Sequence, residues 1–381
     1  MASDSSRREF LKDLGAGALG AVVAGSARAS LAAADKPVSS SAAPAPAMWN
    51  PVSDRKIRLG VVGGGFGASF EWHRHPNCAV VAVSDLQTGR REGLMKVFQC
   101  EKSYGSLEQL VLDDTIEAVA VFTDAPSHGR HCVEVMKRGK HCISAVPAAM
   151  NIEDCQKLKE IKEKTGLKYM MAESSYYHSA VIRGRNLYAR GCKLVYSEGH
   201  YYHDGVTRIE SWKNWRYALP PMLYPTHSTA YYVGVTSKRL AKVSCLGWRG
   251  EGEEWRRNQY GNAPFVNESA MFYTSENTMF RCNVFWKCDA GGESGGHIWE
   301  TRPTVDVPSS VPLPPSLSAG GHGGSAGPIV NEFVMAIVEN REPAINIYES
   351  LGMTAPGIVA HQSALKNGEL LDVPCTDKTP A

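Results

Sequence analysis

The sequence predicts an α/β chain: a doubly wound parallel sheet followed by a second α/β domain. Three observations predict it. Short apolar, β-branched runs alternate with helical stretches between Lys56 and Ser144, the pattern of strand–helix–strand units. The first run passes directly into a glycine turn, Gly63-Gly64-Gly65-Phe66-Gly67-Ala68. The second run ends in Asp85, 22 residues after Gly63. A length of 381 residues fits two domains. They are expected over residues 56–172 and 173–381.

Composition narrows the function. Hydrophobic residues make up 43% and charged residues 21%, an ordinary globular balance that excludes a disordered, collagenous or coiled-coil chain. Lys plus Arg number 41 and Asp plus Glu 39, a net charge of +2. That balance gives no electrostatic case for nucleic acid or an anionic membrane surface. The ten cysteines contain no CxxC pair, which argues against a zinc ribbon or a thioredoxin-type motif.

Residues 5–12 read Ser5-Ser6-Arg7-Arg8-Glu9-Phe10-Leu11-Lys12, and a Gly/Ala-rich apolar stretch follows from Leu14 to Ala27. Paired arginines, a short apolar run and two A-x-A sites (Ala27-Arg28-Ala29 and Ala32-Ala33-Ala34) resemble a twin-arginine export signal over residues 1–34. The run is too short to span a membrane. The alternative is an amphipathic start to an N-terminal helix. The resemblance implies a protein folded around its cofactor and delivered to the periplasm, with its cysteines buried as reduced thiols. Residues 35–55 are expected to be a flexible linker, Ser/Pro/Ala-rich from Pro37 to Met48.

Lys56 to Val62 reads as a buried parallel strand. The turn after it fits G-x-G-x-x-A, with Gly63, Gly65 and Ala68 in the fixed places. Glycine permits the tight turn and a close backbone approach to a pyrophosphate, and the small third residue lets a helix pack on the strand. Phe66 and Gly67 complete the contact surface. Val80 to Ser84 is the second strand, and Asp85 stands where an acid binds ribose hydroxyls. A carboxylate there repels a 2′-phosphate and selects NAD over NADP, although Arg90 and Arg91 blur the preference. A strand-end turn residue is the plainer reading of Asp85. Ile116 to Thr123 is a third strand, His128 to Arg138 a helix, and Cys142-Ile143-Ser144 begins another strand. Ligands in such sheets sit beyond the strands' carboxyl ends, which is where Thr123, His128, Val146 and Pro147 fall.

This order of strand, G-x-G-x-x-A, strand-Asp, strand-Thr-x-x-x-x-His, Gly139-Lys140-His141, strand and Ala145-Val146-Pro147 resembles the Gfo/Idh/MocA oxidoreductases over about residues 56–370. The resemblance implies a Rossmann domain with NAD, then an α/β domain with an open, mostly antiparallel sheet. The usual Glu-Lys-Pro of that family is replaced here by Ala145-Val146-Pro147. In this respect the chain is similar to a subgroup, the NAD-dependent α-N-acetylgalactosaminidases, whose segment reads Val-Pro-Ala-Ala. Glu173-Ser174-Ser175-Tyr176-Tyr177, the segment from Glu198 to Asp204, Trp215-Arg216, Tyr224-Pro225-Thr226-His227 and His322-Gly323-Gly324 resemble that subgroup as well. Carried over by position, Tyr177, Tyr224 and His227 are candidate active-site residues. Ser228-Thr229-Ala230 and His178 depart from the subgroup's pattern, which implies a different substrate pocket.

Removal of hydride from an alcohol needs a base for the hydroxyl proton. Histidine, with an ordinary pKa near 6.5, can serve around neutrality. Tyrosine can serve only beside a positive charge. His227 precedes an apolar run to Val235, as expected at the mouth of a helix facing a cleft; without chemistry it is simply a helix-start histidine. Tyr177 is otherwise a core or rim aromatic. His203-Asp204 is either an imidazole oriented by an acid or a loop leaving a strand. Trp215 and Arg216 either close over adenine or sugar or pack between domains. His322 lies in a Gly-rich loop, Ser318 to Gly327, which approaches a ligand or is merely mobile. No H-E-x-x-H-like set is present, so no metal is expected. Residues 240–300 hold strand-like runs, and Pro328 to Glu339 and Tyr348 to Lys366 read as helices.

The expected function is NAD-dependent hydride transfer on a sugar, polyol or glycoside. The alternatives are a redox glycosidase or lyase with permanently bound NAD, and a non-catalytic sugar or nucleotide binder. The expected partner is a carbohydrate, and a homo-oligomer is anticipated.

Overall fold

The computed structural model describes Trp49 and residues 53–377. The expected export signal over residues 1–34 and the tether from Pro37 to Met48 lie outside the described residues.

Six strands form an all-parallel sheet: β1 (Ile57–Val62), β2 (Cys78–Ser84), β3 (Ser103–Tyr104), β4 (Ala118–Val121), β5 (His141–Ser144) and β6 (Tyr169–Met171). Their order is β3-β2-β1-β4-β5-β6. All four residues of β4 and all three of β6 are buried, as expected of apolar runs covered on both faces. Helices α1 (Thr88–Phe98), α2 (His128–Lys137) and α3 (Ile152–Thr165) make the later crossovers. The sequence bounds α3: Asn151 Oδ1 accepts from the Asp154 N–H (2.8 Å), and Gly166 ends the helix in the left-handed region at φ 67°. Strand order reverses between β1 and β4, so the crevice lies above those two strands.

The crossover from β1 to β2 corrects one expectation. No long helix follows the glycine turn. Two 3₁₀ turns, Phe66–Ser69 and Trp72–Arg74, take its place. An aromatic plug fills the space a helix would cover: the buried Phe70 stacks on Phe122 (4.7 Å) and on Trp72 (5.9 Å).

The second sheet has the order β11-β7-β10-β9-β8-β12. Its strands are β7 (Leu194–His203), β8 (Leu240–Arg249), β9 (Phe265–Thr274), β10 (Met279–Phe285), β11 (Gly291–Trp299) and β12 (Leu371–Asp372). β7 and β10 pair in parallel and the other neighbours antiparallel, so the sheet is open and mostly antiparallel. Helices α4 (Ser179–Ala189), α5 (Thr226–Thr236), α6 (Ala326–Val338) and α7 (Ile347–Leu365) complete the chain. Every residue of α5 is buried. Burial of Phe272 and Phe280 beneath these helices contributes on the order of 2 kcal/mol each.

α5 touches β7 through backbone. A Cβ on Gly199 would collide with the Ser228 carbonyl. Ser228 Oγ also donates to the Asn283 carbonyl on β10 (3.1 Å), and Thr229 Oγ1 to the Met353 carbonyl on α7 (2.8 Å). These contacts fix the N-terminal turn of α5, and His227 with it. α7 also reaches the first sheet's loops: the Ala148 N–H donates to Thr354 Oγ1 (3.3 Å). Among the described residues no helix is long and apolar enough to cross a membrane.

Candidate active site

A 400 Å³ groove runs along the carboxyl ends of β1, β2 and β4, lined by Gly63, Gly65, Phe66, Asp85, Arg90 and Thr123, with Trp215 and Arg216 from the second domain. Gly63 has φ 101°, and a Cβ there would collide with the Phe122 carbonyl. Gly65 differs: the nearest atom to a Cβ would be 3.8 Å away, so its open side faces the groove. Gly67 packs between Phe122 and Val61, and Ala68 is half-buried beside it. Asp85 braces the turn, with Oδ2 accepting from the Gly64 N–H (2.6 Å) and Oδ1 from the Gln87 N–H (2.7 Å). Arg91 donates to the Asp85 carbonyl (2.9 Å), which turns it from the groove. A glycine cradle and a carboxylate at the end of β2 fit a dinucleotide.

The groove continues into a 410 Å³ cavity through Phe66, Phe122, Thr123, Trp215 and Arg216, which line both. Thr123 Oγ1 lies 2.9 Å from His131 Nδ1. His128 is buried between the Pro147 carbonyl (2.8 Å from Nδ1) and the Thr123 carbonyl (3.1 Å from Nε2); burial pushes its pKa down, and the neutral ring donates to only one of the two. It holds two cofactor-side loops together. Ala145 and Val146 bring only apolar groups to the cavity wall where the resembling family has its lysine.

The far wall belongs to the second domain. His227, in the first turn of α5, donates from Nδ1 to Glu173 Oε1 (2.8 Å). Glu173 is fully buried, and the same oxygen accepts from the Ser175 N–H (2.8 Å). Glu293 Oε1, from β11, lies 3.6 Å from the same Nδ1. Burial disfavours the imidazolium, but the two carboxylates outweigh it and raise the His227 pKa to about 9. Against the expectation of a histidine titrating near neutrality, the carboxylates move the His227 titration to higher pH and favour the imidazolium. Burial pushes Glu293 up, but His227, Ser175 and His178 outweigh it and hold its carboxyl below the usual range. The donor atoms of Glu173, His227 and Glu293 lie within 4.8 Å of one another, so the set could also take a cation if the proton left. A scan for contiguous metal motifs does not see such a set.

Aromatic rings pave the rest. Tyr201 lies 4.6 Å from the His227 ring, and Tyr224 stacks on Tyr201 (6.0 Å) and Trp215 (6.2 Å). The Arg216 guanidinium sits over Trp215 (4.4 Å). Burial raises the Tyr224 pKa despite Arg216, so this hydroxyl stays protonated. His203 lines the cavity, but its Nδ1 faces the Asp204 backbone carbonyl (3.2 Å), so the Asp204 carboxylate does not orient it. His322 packs its ring on Phe66 (4.9 Å) at the cavity edge.

Tyr177 is placed elsewhere. It lines a neighbouring 580 Å³ cavity, not the one containing His227 and Tyr224, and its hydroxyl is buried without a hydrogen-bond partner. Ser174, just before the 3₁₀ turn Ser175–Tyr177, lines the His227 cavity, and the turn carries Tyr177 on to the neighbouring one, which Glu293 also lines. Sequence reasoning missed Glu293 as a site residue and quoted Glu173 and Tyr201 only within motifs. Glu173 follows β6 by two residues, a position at a strand's carboxyl end that flags it; nothing local flags Glu293.

Comparison with known proteins gives a consistent picture. Residues 57–173 match the oxidoreductase family Gfo/Idh/MocA, NAD-binding Rossmann fold. A glycosyl hydrolase family 109 protein of Bacteroides thetaiotaomicron is 31% identical over 147 residues, 35% of this chain and 32% of that protein. Another, from Akkermansia muciniphila, is 30% identical over 256 residues, 58% of this chain and 54% of that one. The matches thus span a third to about half of these relatives' length. A levoglucosan dehydrogenase solved with NADH and levoglucosan superposes with a TM-score of 0.70 at 15% identity, covering 84% of this chain and 100% of that one, a likeness of fold. The likeness to the Gfo/Idh/MocA oxidoreductases is thus carried by residues 57–173, where the chain matches that family's NAD-binding Rossmann fold.

Proposed function

We propose that the protein is an NAD-dependent oxidoreductase that transfers hydride at a secondary hydroxyl carbon of a sugar, polyol or glycoside. The observation that carries this reading is the His227–Glu173 pair, set in a cavity continuous with the dinucleotide groove. Bound NAD⁺ supplies the hydride acceptor. The chain's own residues handle the proton. Nδ1 of His227 is engaged by the carboxylates, which leaves Nε2 as the ring nitrogen for a substrate oxygen. Deprotonated, it accepts the hydroxyl proton during oxidation; protonated, it donates to the oxygen during reduction. Tyr201, Trp215 and Tyr224 offer ring faces to the C–H side of a sugar and keep water from the reacting carbon.

A second reading, a redox glycosidase with retained NAD, is favoured by one feature. The cavity holds an imidazolium and a carboxylate, His227 and Glu293, side by side. Oxidation, elimination, hydration and re-reduction need both a proton donor and a proton acceptor. The family 109 relatives point the same way. Free sugars and glycosides, each offered with NAD⁺, separate the readings. Net NADH from free sugars supports the dehydrogenase, and glycoside cleavage without net NADH supports the glycosidase. Failure of both across a broad panel contradicts the proposal.

Asp85 should select NAD. Asp85→Ala is expected to weaken NAD⁺ binding at least about tenfold, because it removes the acceptor that braces the Gly64 amide as well as the ribose contact. It should also narrow the NAD/NADP gap. Titration of both dinucleotides checks this, and a wild type that prefers NADP contradicts it.

We also propose export by the twin-arginine route, supported by Arg7-Arg8 and the small-residue cleavage sites. Arg7→Lys with Arg8→Lys should leave the folded, NAD-loaded protein in the cytoplasm; normal periplasmic accumulation on fractionation would show the arginines incidental. A homo-oligomer remains part of the proposal. The second sheet exposes the apolar side chains Leu246, Trp248, Tyr273 and Ile298, which a second copy would cover, and sedimentation checks it.

A further inference from the structure

We propose that Glu293 is a second acid/base residue of the cavity, separate from the His227–Glu173 pair, and that His178 exchanges its proton with the cavity behind. The inference rests on the glycoside form of the reading above.

The two carboxylates beside His227 are not equivalent. Glu173 is fully buried, lines neither cavity and is held by the Ser175 amide and His227. It orients the ring. Glu293 lines both the 410 Å³ cavity and the 580 Å³ one. Its Oε1 looks toward His227 Nδ1 (3.6 Å), and its Oε2 accepts from Ser175 Oγ (2.5 Å) and Ser174 Oγ (3.2 Å). Hydroxyl groups can turn from donor to acceptor, so they serve the carboxylate and the protonated acid alike. Its nearest basic neighbours are two histidines, His227 and His178. Oε2 also lies 3.5 Å from His178 Nε2. His178 is half-buried and lines the second cavity together with Ser309 and Ser310, which are exposed, so that cavity opens to the surface. Its other nitrogen, Nδ1, lies 3.4 Å from the Tyr231 hydroxyl. A continuous series of polar groups thus leads from the substrate wall to water without passing the cofactor.

The chemistry balances. Bound NAD⁺ would supply the hydride acceptor, and the oxidised substrate would then hold a carbonyl. Glu293 takes the proton from the neighbouring carbon, and its carboxylate becomes a carboxylic acid. The electron pair of that C–H bond forms a C=C bond as the adjacent C–O bond to the leaving group breaks. The imidazolium of His227 gives a proton to the departing oxygen. Glu293 then passes its proton to His178, which releases it into the second cavity. The substrate class is therefore a glycoside with an oxidisable hydroxyl one carbon beyond the acidic C–H.

The test uses the full-length NAD-loaded protein in D₂O with a panel of aryl glycosides. In wild type, deuterium should enter at the carbon beside the oxidised one, and the glycoside should be cleaved. Glu293→Gln should abolish deuterium entry and lower cleavage about 10²–10⁴-fold while bound NADH still forms. His178→Asn should lower turnover about tenfold at unchanged KM, and added imidazole should restore it through the open cavity. Deuterium entry that persists in Glu293→Gln, loss of NADH formation in that variant, or a His178→Asn protein that imidazole does not rescue overturns the assignment and leaves the oxidoreductase reading standing. A wild type that forms no NADH with any substrate sinks that reading, and this inference with it.

Discussion

His227→Ala is expected to lower turnover by about 10²–10⁴-fold while leaving NAD bound at wild-type affinity. The size follows from the site. The imidazole is the residue in the first turn of α5 that meets two carboxylates, and alanine leaves Glu173 and Glu293 facing each other without the cation between them. NAD binding should survive because the glycine turn and Asp85 lie on the other domain's strands. Steady-state rates with fluorescence titration of NADH check both halves. Loss of NAD binding in the variant would show a structural effect, and full activity would remove His227 from the chemistry.

The pH dependence is the second large effect. The folded pKa of His227, about 9, stands above the ordinary 6.5 because Glu173 and Glu293 overcome burial. At pH 7 only about one molecule in a hundred then holds the free base. Oxidation, which needs that base, should rise about 50-fold between pH 7 and pH 9, and reduction, which needs the acid, should fall above pH 9. Glu173→Gln removes the nearer carboxylate and should move both inflections to lower pH. The sign for stability follows from the raised pKa: the charged pair's contribution is complete below about pH 6.5 and is lost as pH rises through 9. A rate profile with its inflection unchanged in Glu173→Gln would contradict the pairing.

The parts of this architecture that are local chemistry were legible in the sequence. Val62 running into Gly63, and Ser84 into Asp85, announce a parallel sheet and its crevice because the tight turn needs glycine and the Asp85 carboxylate braces it through the Gly64 amide. The helix after His227 was legible from its apolar run. What depends on distant packing was not. β11 reads Gly-Gly-Glu-Ser-Gly-Gly-His-Ile-Trp, a poor strand by propensity, yet a Cβ on Gly295 would collide with the Tyr231 ring and the Glu198 carbonyl. Glycine there is a packing requirement between a strand and a helix 64 positions apart, and Glu293 arrives at the site only through that pairing. Tyr177 is displaced for a different reason: Ser174 lines the His227 cavity, but three residues on, past a 3₁₀ turn, Tyr177 lines the neighbouring one, and no periodicity marks the change. The missing helix after the glycine turn likewise depended on Phe122, far along the chain, completing the aromatic plug.

The central claim is that His227, held by Glu173 beside the NAD groove, moves the proton in a hydride-transfer reaction. Its most direct test is nicotinamide absorbance of the NAD⁺-loaded protein mixed with free sugars, polyols and glycosides between pH 6 and pH 10. NADH should form with at least one of them, at a rate that rises with an inflection near pH 9 and that His227→Ala lowers about 10²–10⁴-fold. NADH formation with no inflection in that range, or formed equally fast by His227→Ala, would contradict the claim.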